Sequence, residues 1–191
     1  MKFRLASLLA ALAIAAPAGS AFAKEYTAAP PQKDAPPLVQ RFPDIDKAKY
    51  AAPAWSGKVA RDIANKKHDF RTRARDALKY ARENPAEGVN FAGKYIIFSY
   101  GCGTGCISFN VIDAANGKIF DGLCITGYPI EDSWVNWGLK HDKSSTLLYV
   151  QGALDEGTDS VNVSGSGSFV FTFKDGKFHL LEHSPVVGIE E

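Results

Sequence analysis

Cys102, Cys106 and Cys124 are the three thiols of this 191-residue chain, and two of them share the segment Gly101-Cys102-Gly103-Thr104-Gly105-Cys106. Three glycines in so short a stretch permit left-handed backbone and bare amide groups, and period-two sequence on either side makes the segment a strand-to-strand loop. Its sulfurs have three possible fates. Cys102 and Cys106 can face each other across the hairpin and form a disulfide. One of them can instead pair with Cys124, which the Asn116-Gly117 turn brings back towards Cys106. Or a thiol stays free as a nucleophile. Three cysteines leave one unpaired whichever fate holds. The leading expectation is a Cys102–Cys106 bond and a buried, inert Cys124. Closing so short a loop stabilises by only about 2 kcal/mol on the chain-entropy model, so the bond mainly holds loop shape. Gly101, Gly103, Thr104 and Gly105 form a candidate binding loop. It runs from strand to strand with no helix N-terminus, so it is neither a P-loop nor a dinucleotide fingerprint.

The remaining reactive residue types are scattered. His179 and His183 are four apart, which suits metal ligation on a helix, but here they fall on a strand, where four residues reach too far for one tetrahedral ion. His68 and His141 lie in polar, turn-like stretches. Asp155, Glu156 and Asp159 make an acidic loop without the EF-hand pattern. Ser164 to Ser168 is a Ser/Gly link, and Gly-x-Ser-x-Gly is absent. The sequence therefore nominates no catalytic set, no metal ligands and no cofactor. The enzyme alternative is a hydrolase or thiol enzyme built on Cys102, Cys106 or Cys124 with a histidine that the fold brings close.

Which sulfur chemistry applies depends on the compartment. Lys2 and Arg4 precede an apolar run from Leu5 to Ala16, Pro17 and Gly19 end it, and Ala21-Phe22-Ala23 carries small residues where a signal peptidase reads. Met1–Ala23 thus reads as a cleavable signal peptide. The run is too short for a membrane span, which takes about 20 apolar residues. Export to periplasm or medium favours disulfides. Cleavage leaves 168 residues and, with Lys2 and Arg4 gone, 20 basic against 21 acidic side chains. That near-neutral balance argues against nucleic acid as a partner, and the lack of a second long apolar run argues against stable membrane insertion after cleavage.

The elements that must position the cysteines follow from periodicity. Residues 24–40, with Pro30, Pro31, Pro36 and Pro37, read as a disordered leader, and residues 41–191 as a single domain. Asp69 to Glu83 is the one convincing helix. Phe70, Ala74, Ala77, Leu78 and Ala81 form its apolar stripe, Asp69 is its expected cap, and its arginines make a solvated face. From Gly93 onward the period is two. Lys94 to Tyr100 is apolar on both faces and suits a central strand. Cys106 to Asp113 alternates, Asn116-Gly117 turns, Ser133 to Leu139 aligns Val135, Trp137 and Leu139, and Ser168 to Phe173 aligns Phe169, Phe171 and Phe173. The fold class is α+β, mainly β. It reads as an antiparallel meander with propeller-blade-like hairpins, as an open curved sheet or small sandwich, with the helix packed on it.

Asn90-Phe91-Ala92-Gly93-Lys94-Tyr95, the Gly101–Cys106 hairpin and Val111-Ile112-Asp113-Ala114-Ala115-Asn116-Gly117-Lys118 resemble a family of small secreted bacterial proteins of unknown function. Its members pair an NFAG-x-Y strand with a GCGT-x-C hairpin, and the resemblance covers roughly Gly88 to Glu182. It implies bacterial export and a compact β-rich domain, and no activity. Family members often carry two adjacent cysteines where this chain has Cys124 alone. The functional expectation is a non-enzymatic, inhibitor-type module that binds an envelope or secreted protein or ligand. Tyr128, Trp134 and Trp137 near turns offer either aromatic contact surface or, as is commoner for such residues, core.

Overall fold

A computed structural model describes residues 38–130, 133–135, 137–154 and 165–185. The expected signal peptide, residues 24–37 of the expected leader, Asp155, Glu156, Asp159 and Ser164 lie outside them.

The described chain is mainly β. Its strands are β1 (Tyr95–Gly103), β2 (Cys106–Asp113), β3 (Ile119–Thr126), β4 (Tyr128–Ile130), β5 (Ser133–Val135), β6 (Gly138–His141), β7 (Leu147–Leu154), β8 (Gly165–Lys174) and β9 (Lys177–Pro185). Seven of them form one antiparallel sheet in the order β1-β2-β3-β7-β8-β9, with β6 on the free stretch of β7, while β4 and β5 pair apart. Sequential neighbours pair because their turns carry the right residues. Gly117 takes φ +74°, and Asp175 and Gly176 take +54° and +81°, as a tight hairpin requires.

One face of β1–β3 and one face of β7–β9 enclose the main core, which includes Phe91, Phe109, Val111, Leu148, Val150, Phe169, Phe171, Phe173 and Phe178. Two smaller clusters cover the outer faces. On β1–β3, helix α1 (Arg71–Glu83) seats Ala74, Leu78 and Ala81 against Ile96, Ile112 and Ile119. On β7–β8, fully buried Phe42 packs with Leu147, Tyr149 and Val170, and Leu38 and Val39 lie against the same cluster. Those two residues open the described chain in a 3-10 turn, Leu38–Arg41, inside the stretch the sequence assigns to the leader.

Three local expectations are corrected. The residue preceding α1 is Phe70, and no side chain caps the helix. Phe70 instead stacks on Tyr100, with centroids 4.2 Å apart, so an aromatic contact places this end. β1 is an edge strand, not a central one. It is apolar on both faces because the core lies on one side and α1 on the other. Residues 133–139 do not form one strand, since β5 pairs with β4 and β6 with β7. Period two alone does not say which neighbour a strand finds.

Candidate functional site

The sulfur site is built at the end of the sheet where β1 turns into β2. Cys102 and Cys106 are paired at disulfide distance, with Cα atoms 5.3 Å apart, within the span such a bond needs. Cys102 is the extra residue of a bulge, since Gly101 opposes Ile107 and Gly103 opposes Cys106. The turn is tied to β3 by a hydrogen bond from the Gly127 N–H to the Gly105 carbonyl, at 2.9 Å. Gly101, Cys102, Gly103 and Thr104 are all exposed.

Cys124 is neither remote nor fully buried. Its Sγ lies 3.5 Å from Cys102 Sγ and 3.4 Å from Cys106 Sγ, and it is half-buried. The expectation of a buried Cys124 is therefore corrected. The cause is a second bulge. Ser108 opposes Cys124 and Asn110 opposes Asp121, so β3 spends one more residue than β2 over this stretch. The extra residue turns Cys124 to the face that carries Asp121, whereas uninterrupted alternation would turn it away. The bulge needs Gly122. A Cβ there would overlap the Phe109 carbonyl oxygen and lie 2.8 Å from the Phe109 ring. The Gly122 N–H donates to Asn110 Oδ1 at 3.2 Å, which fixes the shifted register.

Register places Tyr100, Ser108 and Cys124 in one row across β1, β2 and β3. Burial first, and then the charges of Cys124 and Asp121, push the Tyr100 phenol above its usual range, against a hydrogen bond to Ser108. Tyr100 is therefore a neutral hydroxyl at physiological pH. Arg73 of α1 sits 5.3 Å from the centre of its ring. The sulfurs thus occupy a polar, partly covered corner with a phenol and a serine hydroxyl in the adjoining row.

His68 reaches the edge of this corner through Asp121. The Phe70 N–H donates to His68 Nδ1 at 3.2 Å, which leaves Nε2–H to donate to Asp121 Oδ1 at 3.2 Å. His141 donates from Nδ1 to the Asn90 carbonyl at 3.1 Å, and burial holds its imidazole below the ordinary histidine range. His179 opposes Thr172 and His183 opposes Phe169, and those partners face opposite sides of β8, so the two histidines do not converge. Among the described residues, no histidine hydrogen-bonds to a cysteine sulfur.

Cys102, Cys106 and Cys124 have sulfurs all within 4.8 Å of one another, close enough to hold a metal ion once the disulfide is opened, a grouping that the sequence does not nominate. No family model, curated protein or solved structure matches this chain. The Asn116-Gly117 turn signals that Cys124 returns towards Cys106, but the face it takes has only Gly122, two residues before it, as a signal, and a lone glycine does not announce a bulge.

Proposed function

We propose that the protein is an exported thiol–disulfide module that acts on thiols of envelope or secreted proteins through its β1–β2 hairpin. One observation carries the reading: an exposed disulfide partner, Cys102, with a third sulfur in contact with both members of the bond. Exposed disulfides are the labile ones, whereas structural bonds in secreted proteins resist glutathione with potentials below about −300 mV. A partner thiolate attacks Cys102 Sγ along the bond axis, a mixed disulfide forms, and Cys106 leaves as the thiolate and takes a proton from solvent. A second thiolate of the partner then attacks the partner sulfur of the mixed disulfide, which forms the partner's own disulfide and releases Cys102 as its thiolate, whereas attack by Cys106 or Cys124 on Cys102 Sγ returns the partner unchanged. Cys124 lies almost equally far from both sulfurs, so in the closed form it sits beside the bond rather than in line with it. Exchange therefore begins with the outside thiol.

The test is equilibration of mature protein in glutathione buffers of graded ratio, with thiols trapped by acid and counted by mass. The expected result is reversible opening of the Cys102–Cys106 bond within the glutathione range. A bond that stays closed in millimolar reduced glutathione overturns the exchange reading.

A second reading is the non-enzymatic, inhibitor-type module, and the bare tip of the hairpin favours it. A Cβ at Gly101 or Gly103 would meet nothing within 4 Å, so the loop stands clear for a partner. On that reading the bond only stiffens the loop, and Cys102→Ser with Cys106→Ser weakens binding without abolishing a reaction.

A further inference from the structure

We infer that the reduced form of the hairpin is a three-sulfur site for a soft monovalent metal ion, Cu(I), with Cys102, Cys106 and Cys124 as its ligands. The inference rests on the reading above in one respect, that the Cys102–Cys106 bond can be opened.

The geometry is that of a coordination triangle. With metal–sulfur bonds of about 2.3 Å, a three-coordinate ion sits among sulfurs about 4 Å apart. Two edges already measure 3.5 and 3.4 Å, and all three sulfurs fall within 4.8 Å of one another. The third edge is closed only by the disulfide. Reduction frees it to lengthen, and the tip has room to follow, since Gly101 and Gly103 face open space. The position beside the bond that makes Cys124 a poor in-line attacker is the position that a third ligand needs.

The donor set selects the ion. Thiolate sulfur favours soft metals, and the described residues bring no histidine or carboxylate into the ligand group. Zinc at a structural site asks for four ligands, one more than this corner supplies. The third ligand is held in place by backbone. The Gly122 bulge aims Cys124 at the pair, and Asn110 Oδ1 accepts the Gly122 N–H that fixes the bulge.

The chemistry balances with a dithiol as reductant. It gives two electrons and two protons to the Cys102–Cys106 bond and becomes a cyclic disulfide itself. Three protons then leave the three thiols as Cu(I) enters, and three thiolates with one Cu(I) leave the site at a charge of −2. Oxidation reforms the bond and removes two of the three ligands, so metal retention is coupled to redox state.

The experiment uses mature protein reduced with dithiothreitol, freed of it by desalting under argon and titrated with Cu(I) against bicinchoninate. Near-ultraviolet sulfur-to-copper absorption reports the bound ion. The expected result is one Cu(I) per chain, at least tenfold weaker retention in Cys124→Ser, no retention by the oxidised protein, and Zn(II) held at least a hundredfold less tightly. Cys124→Ser keeps the disulfide pair, and its circular dichroism and melting point check its fold. Equal copper retention by wild type and Cys124→Ser overturns the three-sulfur site, and zinc held as tightly as copper overturns its assignment to a soft monovalent ion. Chemical reduction keeps this test separate from the glutathione experiment. A bond that resists glutathione in a protein whose reduced form binds copper sinks the exchange reading and supports the metal site.

Discussion

Replacing Gly122 by alanine should damage both the fold and the sulfur site, because this glycine lets β2 and β3 approach where Cys124 changes face. The added Cβ would overlap the Phe109 carbonyl oxygen and lie 2.7 Å from its carbon and 2.8 Å from the ring. Phe109 is 1% exposed and belongs to the main core, so neither its backbone nor its ring can retreat freely. Overpacking of this kind costs about 1–3 kcal/mol. In a domain of this size each kcal/mol lowers the melting temperature by about 2–4 °C. A cost of about 2 kcal/mol thus predicts a fall of about 4–8 °C by circular dichroism of the oxidised protein. The strain sits at the bulge, so native alkylation of Cys124 should also speed up severalfold. Gly101→Ala is the matched control, because a Cβ there meets nothing within 4 Å, and it should stay within about 0.5 kcal/mol of wild type. A Gly122→Ala protein that melts with wild type and alkylates at the same rate would refute the role assigned to the bulge.

Two further perturbations probe the frame around the site. The Asp113 side chain is 6% exposed and its carboxylate takes Lys94 Nζ at 2.8 Å and the Ala115 N–H at 2.9 Å, tying the residue before β1 to the turn after β2. Asp113→Ala should cost about 2 kcal/mol in urea unfolding by stranding these donors, and a change below 0.5 kcal/mol would contradict that. His141 is disfavoured as a cation by burial, so its folded pKa lies below its unfolded value of about 6.5. The unfolded chain then binds more protons in the interval between the two values. This contribution to stability is intact above pH ~6.5 and is lost as pH falls towards the folded pKa. Urea midpoints between pH 7.5 and 5 should drop with acid, and His141→Asn, which can keep the hydrogen bond to the Asn90 carbonyl, should flatten the drop; identical slopes would contradict it.

The turns and inward faces were legible because their signals are local. Asn116-Gly117 and Asp175-Gly176 are residues that tolerate positive φ, and they occupy the turns expected of them. Phe169, Phe171 and Phe173 share a face, and all three enter the core. The Cys102–Cys106 pairing was legible from the shortness of the loop. What the sequence concealed depends on the neighbouring strand. Asn90 shows this, since Ile97 N–H donates to its Oδ1 at 2.8 Å and its Nδ2 donates to the Ile97 carbonyl at 3.1 Å, a bond pair that no periodicity announces. The face of Cys124 is hidden in the same way, because one extra residue in β3 reverses it and only the register with β2 reveals that residue. The edge position of β1 was concealed because α1 makes an edge strand look doubly buried.

The central claim is that the three cysteines act as one unit, and a single serine tests it most directly. With Cys106→Ser, Cys102 loses its partner, while Cys124 Sγ remains 3.5 Å from Cys102 Sγ. Peptide mapping of this variant, purified oxidised and digested without reduction, should recover a Cys102–Cys124 disulfide within one chain and no free thiol. Recovery of Cys102 and Cys124 as two free thiols would contradict the account.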